Sequence, residues 1–224
     1  MLRKYVFCLM LFSVSIAACN SKSNDDKKAD ETSADASADK AAVKNILFFG
    51  TSLTAGLGLD PSEAYPNIIQ NRIDSLKLHY NVINAGLSGE TSAAGKERID
   101  WLLKQPVDIF VLELGSNDGL RGIAVTETTK NLQAIVDKVK AKYPNAKMVL
   151  AGMQMPPNMG STYTTAFKNM FPALAEKNNM VLIPFLLDRV GGVPKYNQQD
   201  GIHPTAEGAK ILAENVWEKL EGVL

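Results

Sequence analysis

From residue 44 onward, short apolar runs alternate with longer stretches in which apolar residues recur every three or four positions. The runs are 46–49, 82–84, 107–114, 148–151 and 181–184. Between them, Tyr65, Ile68, Ile69, Ile73 and Leu76 form one stripe of helical period, and Leu132, Ile135, Val136 and Val139 form another. A last helix is expected from about Thr205, with Ala209, Leu212, Val216 and Leu220 on its buried side. Trp101 and Trp217 fall at core spacing on helices and are expected to pack inward. Near-continuous apolar strands joined by helical crossovers predict a parallel sheet covered on both faces, a three-layer α/β/α sandwich with five strands.

Upstream the pattern changes. Met1-Leu2-Arg3-Lys4 is positively charged, and residues 5–18 form an apolar stretch too short to span a membrane comfortably. It ends in Ile16-Ala17-Ala18-Cys19, which resembles the lipobox of bacterial lipoproteins, with Cys19 as the lipidated residue. Plain secretory cleavage would make that cysteine incidental. Residues 20–43 have no aromatic residue and a single β-branched aliphatic, so they are expected to remain an unfolded tether with a reach of roughly 27 Å. The expected organisation is therefore a signal peptide over 1–18, lipidated Cys19 with a tether to 43, and a folded domain over 44–224. That organisation implies a protein held on a membrane of the cell envelope, at the periplasmic or outer surface.

Composition removes several functions. Lys and Arg number 24 and so do Asp and Glu, leaving no basic excess for a phosphate backbone, so nucleic acid is not an expected partner. Both cysteines lie in the first nineteen residues, and there are only two histidines, His79 and His203. The folded body therefore holds no cysteine nucleophile and no zinc cluster, and neither a metal nor a cofactor is expected. A nucleotide-binding reading fails for want of a Gly-Lys-Ser/Thr phosphate loop.

In open α/β sheets ligands bind beyond the carboxyl ends of the strands. Those segments read Gly50-Thr51-Ser52-Leu53, Asn84-Ala85-Gly86-Leu87-Ser88-Gly89-Glu90-Thr91, Gly115-Ser116-Asn117-Asp118-Gly119-Leu120-Arg121-Gly122 and Asp200-Gly201-Ile202-His203-Pro204. Ser52 stands at a strand-to-helix turn, where it either caps the helix or exposes a nucleophilic hydroxyl. His203, in a Gly/Pro loop, is the candidate base, with Asp200 three residues earlier to orient it; Asp188 is the nearest rival, and His79 reads as a packing residue. Gly89 is either a turn glycine or an amide donor, and Asn117 either a loop cap or a side-chain donor. Taken together, four strand ends supply a nucleophile, two donors and an acid–base pair, the set that acyl transfer requires. Lys138, Lys140, Lys142 and Lys147 read as a solvated helix face and its exit.

These four blocks, in this order, resemble the GDSL, or SGNH, hydrolase family, and the likeness extends over nearly all of 44–224. It is nearest to the bacterial arylesterase, thioesterase I and lysophospholipase branch. The resemblance implies a flavodoxin-like sandwich and the roles of Ser52 as nucleophile, His203 as base and Asp200 as its orienter. It further implies an oxyanion hole made of the Ser52 amide, the Gly89 amide and the Asn117 side chain. A loop from Gly119 to Ile123 would lie beside the pocket, with Leu120 touching the acyl group. One position departs from the pattern: Thr51 stands where the family's first block usually has Asp, so the hydrogen bonds that support the serine turn should differ. No Gly-x-Ser-x-Gly occurs, which excludes the α/β-hydrolase motif.

The segment Met153-Gln154-Met155-Pro156-Pro157-Asn158-Met159 follows the fourth strand, and its methionines, with Pro156, suit either an acyl chain or loop packing. The expected activity is a serine esterase acting on aryl or acyl esters, lysophospholipids or thioesters. Two other readings stay open: a carbohydrate O-acetyl esterase, and a surface binding module that keeps the fold without turnover.

Overall fold

A computed structural model describes residues 42–224; the cleavage site, Cys19 and most of the tether lie outside the described residues. The first strand, β1 (Lys44–Gly50), buries its last five residues in succession. A strand apolar on both faces must lie inside a sheet. It does, flanked by β2 (Tyr80–Gly86) and β3 (Ile109–Glu113), with β4 (Lys147–Ala151) and β5 (Val181–Ile183) beyond. The order is β2-β1-β3-β4-β5 and every pairing is parallel. β2 was foreseen only over 82–84 because it is an edge strand, half exposed, whose flanks carry polar residues.

Seven α-helices are present among the described residues: α1 (Ser52–Ala55), α2 (Tyr65–Ser75), α3 (Ser92–Leu102), α4 (Ser116–Leu120), α5 (Val125–Lys142), α6 (Ser161–Asn178) and α7 (Ala206–Leu220). Crossovers between parallel strands are right-handed, so α2, which leads outward from β1 to β2, lies on one face. Helices α3, α5 and α6 lead the other way and cover the opposite face, α3 against α5 and α5 against α6; α7 packs with α2. The chain reverses direction across the sheet between β1 and β3, the switch point where a crevice opens at the strand ends.

The stripes foreseen for α2, α5 and α7 are buried, except that Ile68 is half-buried and Leu76 exposed, and of the two tryptophans expected inside, one is not. Leu76 is 53% exposed: it caps the end of α2, which stops at Ser75, and Lys77, at φ 55, turns the chain there. Trp101 is 66% exposed. The inward stripe of α3 is Ser92, Gly95, Ile99 and Leu102, and Trp101 lies about 100° round the helix from Leu102. Trp217 is buried as expected, its indole N–H donating to Glu221 and its ring faced by the Arg72 guanidinium at 4.4 Å.

Candidate active site

The turn after β1 forms because Gly50 has no side chain. A Cβ there would lie 2.1 Å from Thr54 Oγ1 and 2.6 Å from Glu113 Oε2, so the chain can pass this point only as glycine. Thr51, not Ser52, caps α1: its hydroxyl accepts from the Leu53 amide. The choice left open for Ser52 is thereby resolved, and its hydroxyl is free to face the crevice. Gly56, at φ 75, ends α1 after one turn, its amide donating to the Ser52 carbonyl. Among the described residues, the Ser52 N–H meets no acceptor.

His203 comes from the loop between β5 and α7. The Gln198 amide donates to the His203 carbonyl at 2.7 Å, and Gly201, at φ 70, closes the turn between them. Asp200 Oδ1 accepts from the amides of Ile202 and His203 at 2.9 and 3.0 Å, while Oδ2 meets His203 Nδ1 at 2.6 Å. These donors, the His203 amide first, hold the Asp200 carboxyl well below the usual carboxylate range, so it stays ionised beside the imidazole. On its other side, His203 Nε2 lies 2.9 Å from Ser52 Oγ. The Gln198 side-chain amide donates to the carbonyls of Leu57 and Pro204, tying this loop to the exit of α1. The structure thus joins Ser52, His203 and Asp200 across 151 residues of chain. It leaves out His79 and Asp188, both exposed, so His79 contributes only its carbonyl, which accepts from the Lys44 amide.

The two residues expected as the other donors sit in pinned loops. Asn117 is the second residue of α4, and its Nδ2 donates to the Glu90 carbonyl at 3.1 Å, which uses one of its two hydrogens. The neighbouring Asp118, buried, accepts from the amide and hydroxyl of Ser92. Gly89 takes φ 79, its carbonyl accepts from Arg121 Nη2 at 3.0 Å, and its N–H meets no acceptor among the described residues. The loop is clamped by Arg98, which grips the buried Glu90 carboxylate through two bonds of 2.6 Å and reaches the Ala85 carbonyl. Neither Arg98 nor Glu90 stood out in the sequence, where they resemble any surface pair.

A cavity of about 600 Å³ opens beside Ser52 and His203. Leu120, Met153, Met155 and Pro156 line it, together with Asn117. Phe185, Leu187 and Ile202, from the segment after β5, complete an apolar wall that sequence reading missed. Gly89 and Asp200 stand outside the lining.

Below Ser52 lies a group that sequence reading passed over as part of an apolar run. Glu113, the last residue of β3, is buried and accepts from the Thr51 amide at 2.7 Å, from the Thr51 hydroxyl at 3.0 Å and from the Thr54 hydroxyl at 2.8 Å. The Tyr65 hydroxyl lies 2.9 Å from Thr54 Oγ1. Burial pushes the Glu113 carboxyl up to about 7 against the pull of these donors. Thr51 is therefore an integral member of the support under the serine turn.

Fold and site together define a hydrolase of the three-layer α/β/α class, with serine, imidazole and carboxylate in line at the strand ends. Residues 48–211 match the GDSL-like Lipase/Acylhydrolase family, and the chain belongs to it. It is 41% identical to Esterase TesA of Pseudomonas aeruginosa over 186 residues, 83% of this chain and 92% of that one. It is 37% identical to Thioesterase 1/protease 1/lysophospholipase L1 of Escherichia coli K12 over 182 residues, 81% of this chain and 85% of that one. The crystal structure of TesA superimposes with a TM-score of 0.77 at 41% identity, covering 81% of this chain and all of that one.

Proposed function

We propose that this hydrolase is a serine esterase that cleaves acyl esters, including aryl esters and lysophospholipids, and acyl thioesters, through a covalent acyl-enzyme. The observation that carries this reading is the 2.9 Å approach of His203 Nε2 to Ser52 Oγ at the mouth of an apolar cavity. Ser52 Oγ attacks the carbonyl carbon while His203 Nε2 takes its proton; the ionised Asp200 stabilises the imidazolium. The amides of Ser52 and Gly89 and the free Asn117 N–H receive the developing oxyanion. His203 then returns the proton to the leaving alcohol or thiol, and a water molecule repeats the sequence to release the acid. The walls formed by Leu120, Met153, Met155 and Phe185 suit an acyl chain longer than acetyl. The names of the two relatives, an esterase and a thioesterase/lysophospholipase, agree with this substrate range.

The amino-terminal sequence completes the proposal: lipidation of Cys19 anchors the protein to a membrane of the cell envelope, with residues 20–43 as a spacer.

The test is intact-protein mass after exposure of the full-length protein to a fluorophosphonate, followed by rates on aryl esters from acetyl to palmitoyl. One adduct that disappears in Ser52→Ala is expected, with rates rising beyond acetyl. No adduct on the folded protein would overturn the esterase and leave a binding module; hydrolysis confined to acetyl groups on sugars would overturn the substrate class.

A further inference from the structure

Glu113 is buried below Ser52, does not line the cavity, and has no part in the proton transfers above. Among the described residues, every hydrogen-bond partner of its carboxylate is a donor, and none is a cation. We propose that Glu113 is the positioning residue of the nucleophile turn, acting as a carboxylate that holds the residues on both sides of Ser52.

The connectivity is specific. Oε2 accepts from the amide of Thr51, the residue before the serine. The Thr51 hydroxyl donates to the same carboxylate and in turn accepts from the amide of Leu53, the residue after it. Ser52 is thus suspended between two amides tied to one anion, and its own N–H and hydroxyl are left to the crevice. The Thr54 hydroxyl, donating to Oε2 and meeting Tyr65, fastens the far end of α1 to the same point.

Proton accounting selects the ionised form. With a carboxylate, the chain Tyr65 O–H to Thr54 Oγ1, Thr54 O–H to Oε2 and Thr51 O–H to the carboxylate satisfies every group. A protonated Glu113 would bring a further O–H into a ring already filled with donors, and one of the threonine bonds would have to be given up. The groups facing Glu113 are the Thr51 and Thr54 hydroxyls from the β1–α1 turn and, through Thr54, the Tyr65 phenol from α2, itself pushed upward by burial and by the Glu113 charge. Acidification therefore loosens the serine turn independently of His203.

This inference rests on Ser52 being the nucleophile, and one experiment separates the two. Fluorophosphonate labelling rate, kcat and KM for an aryl ester, and the pH dependence of kcat/KM are measured on wild type, Glu113→Gln, Thr51→Val and Thr51→Ser, each as the intact chain. Glu113→Gln is expected to label and turn over about tenfold more slowly with KM within twofold. Its acid limb is expected to follow one proton where that of the wild type follows two. Thr51→Val should show a similar loss and Thr51→Ser should recover to within about threefold. Labelling and kcat of a folded Glu113→Gln within twofold of wild type would overturn the proposal. Should that variant not fold, equal rates for Thr51→Val and Thr51→Ser would overturn it. A wild type that does not label removes the nucleophile, and with it both readings.

Discussion

Replacing Glu113 by Gln should make the protein more stable at alkaline pH and less stable at acid pH. The neutral amide occupies the same volume but cannot ionise. In the unfolded chain the carboxyl releases its proton near its ordinary value of 4.5, whereas in the native protein burial holds the proton up to about 7. Between those limits the unfolded state binds fewer protons than the native state, so the contribution of Glu113 to stability falls as pH rises through the window and levels off above it. The difference between 4.5 and about 7 corresponds to about 3 kcal/mol. Against this, the amide brings two hydrogens on a nitrogen that cannot accept, where the protonated carboxyl brings one on an oxygen that can, and so forfeits roughly one further hydrogen bond, about 1 kcal/mol at any pH. The variant should therefore be about 1 kcal/mol less stable near pH 4.5 and about 2 kcal/mol more stable at pH 8, while its kcat is lower at pH 8, where the wild-type carboxyl is ionised. Urea unfolding of both proteins at several pH values measures the difference. A stability difference that stays constant from pH 4.5 to pH 8 would refute the assignment of a buried, ionising carboxyl beneath the serine. The expected crossing ties the positioning role to a stability cost at working pH, a trade familiar at strained or charged sites.

Two further outcomes follow from the site and the core. Asn117→Ala should lower kcat on an aryl ester by about 10²–10³-fold with an unchanged circular dichroism spectrum, because it removes one of the proposed oxyanion donors; a loss under threefold would exclude the side chain from that role. Trp101→Ser should leave thermal stability within about 0.5 kcal/mol of wild type, since its ring is largely in water, whereas Trp217→Ala should cost about 3–5 kcal/mol. Equal effects of the two in a melting experiment would contradict the burial described for α3 and α7.

The sequence alone determined the layering and most of the chemistry. Strand and helix periods are properties of the backbone, so buried runs and helical stripes show in any stretch long enough to repeat. Ser52, Asp200 and His203 were legible because strand ends rich in glycine and polar residues are where such sheets bind ligands, and because two histidines leave little choice of base. The same local reasoning failed where spacing was too short to fix a phase: Trp101 sits one residue from the inward Leu102, and Leu76 falls just past the end of its helix. Glu113 shows the deeper limit. Within 107–114 it is, with Asp108, one of two carboxylates in an otherwise apolar run, and nothing local says whether it points to water or inward. The parallel pairing of β1 with β3, which sets Gly50 beside Glu113, puts that carboxylate beneath the serine turn and makes Thr51 its partner. Likewise the cavity wall from Phe185 to Ile202 exists only once distant strand ends converge. Periodicity is local and survives in one dimension; contacts between separate strand ends depend on sheet order and register, which only the folded chain decides.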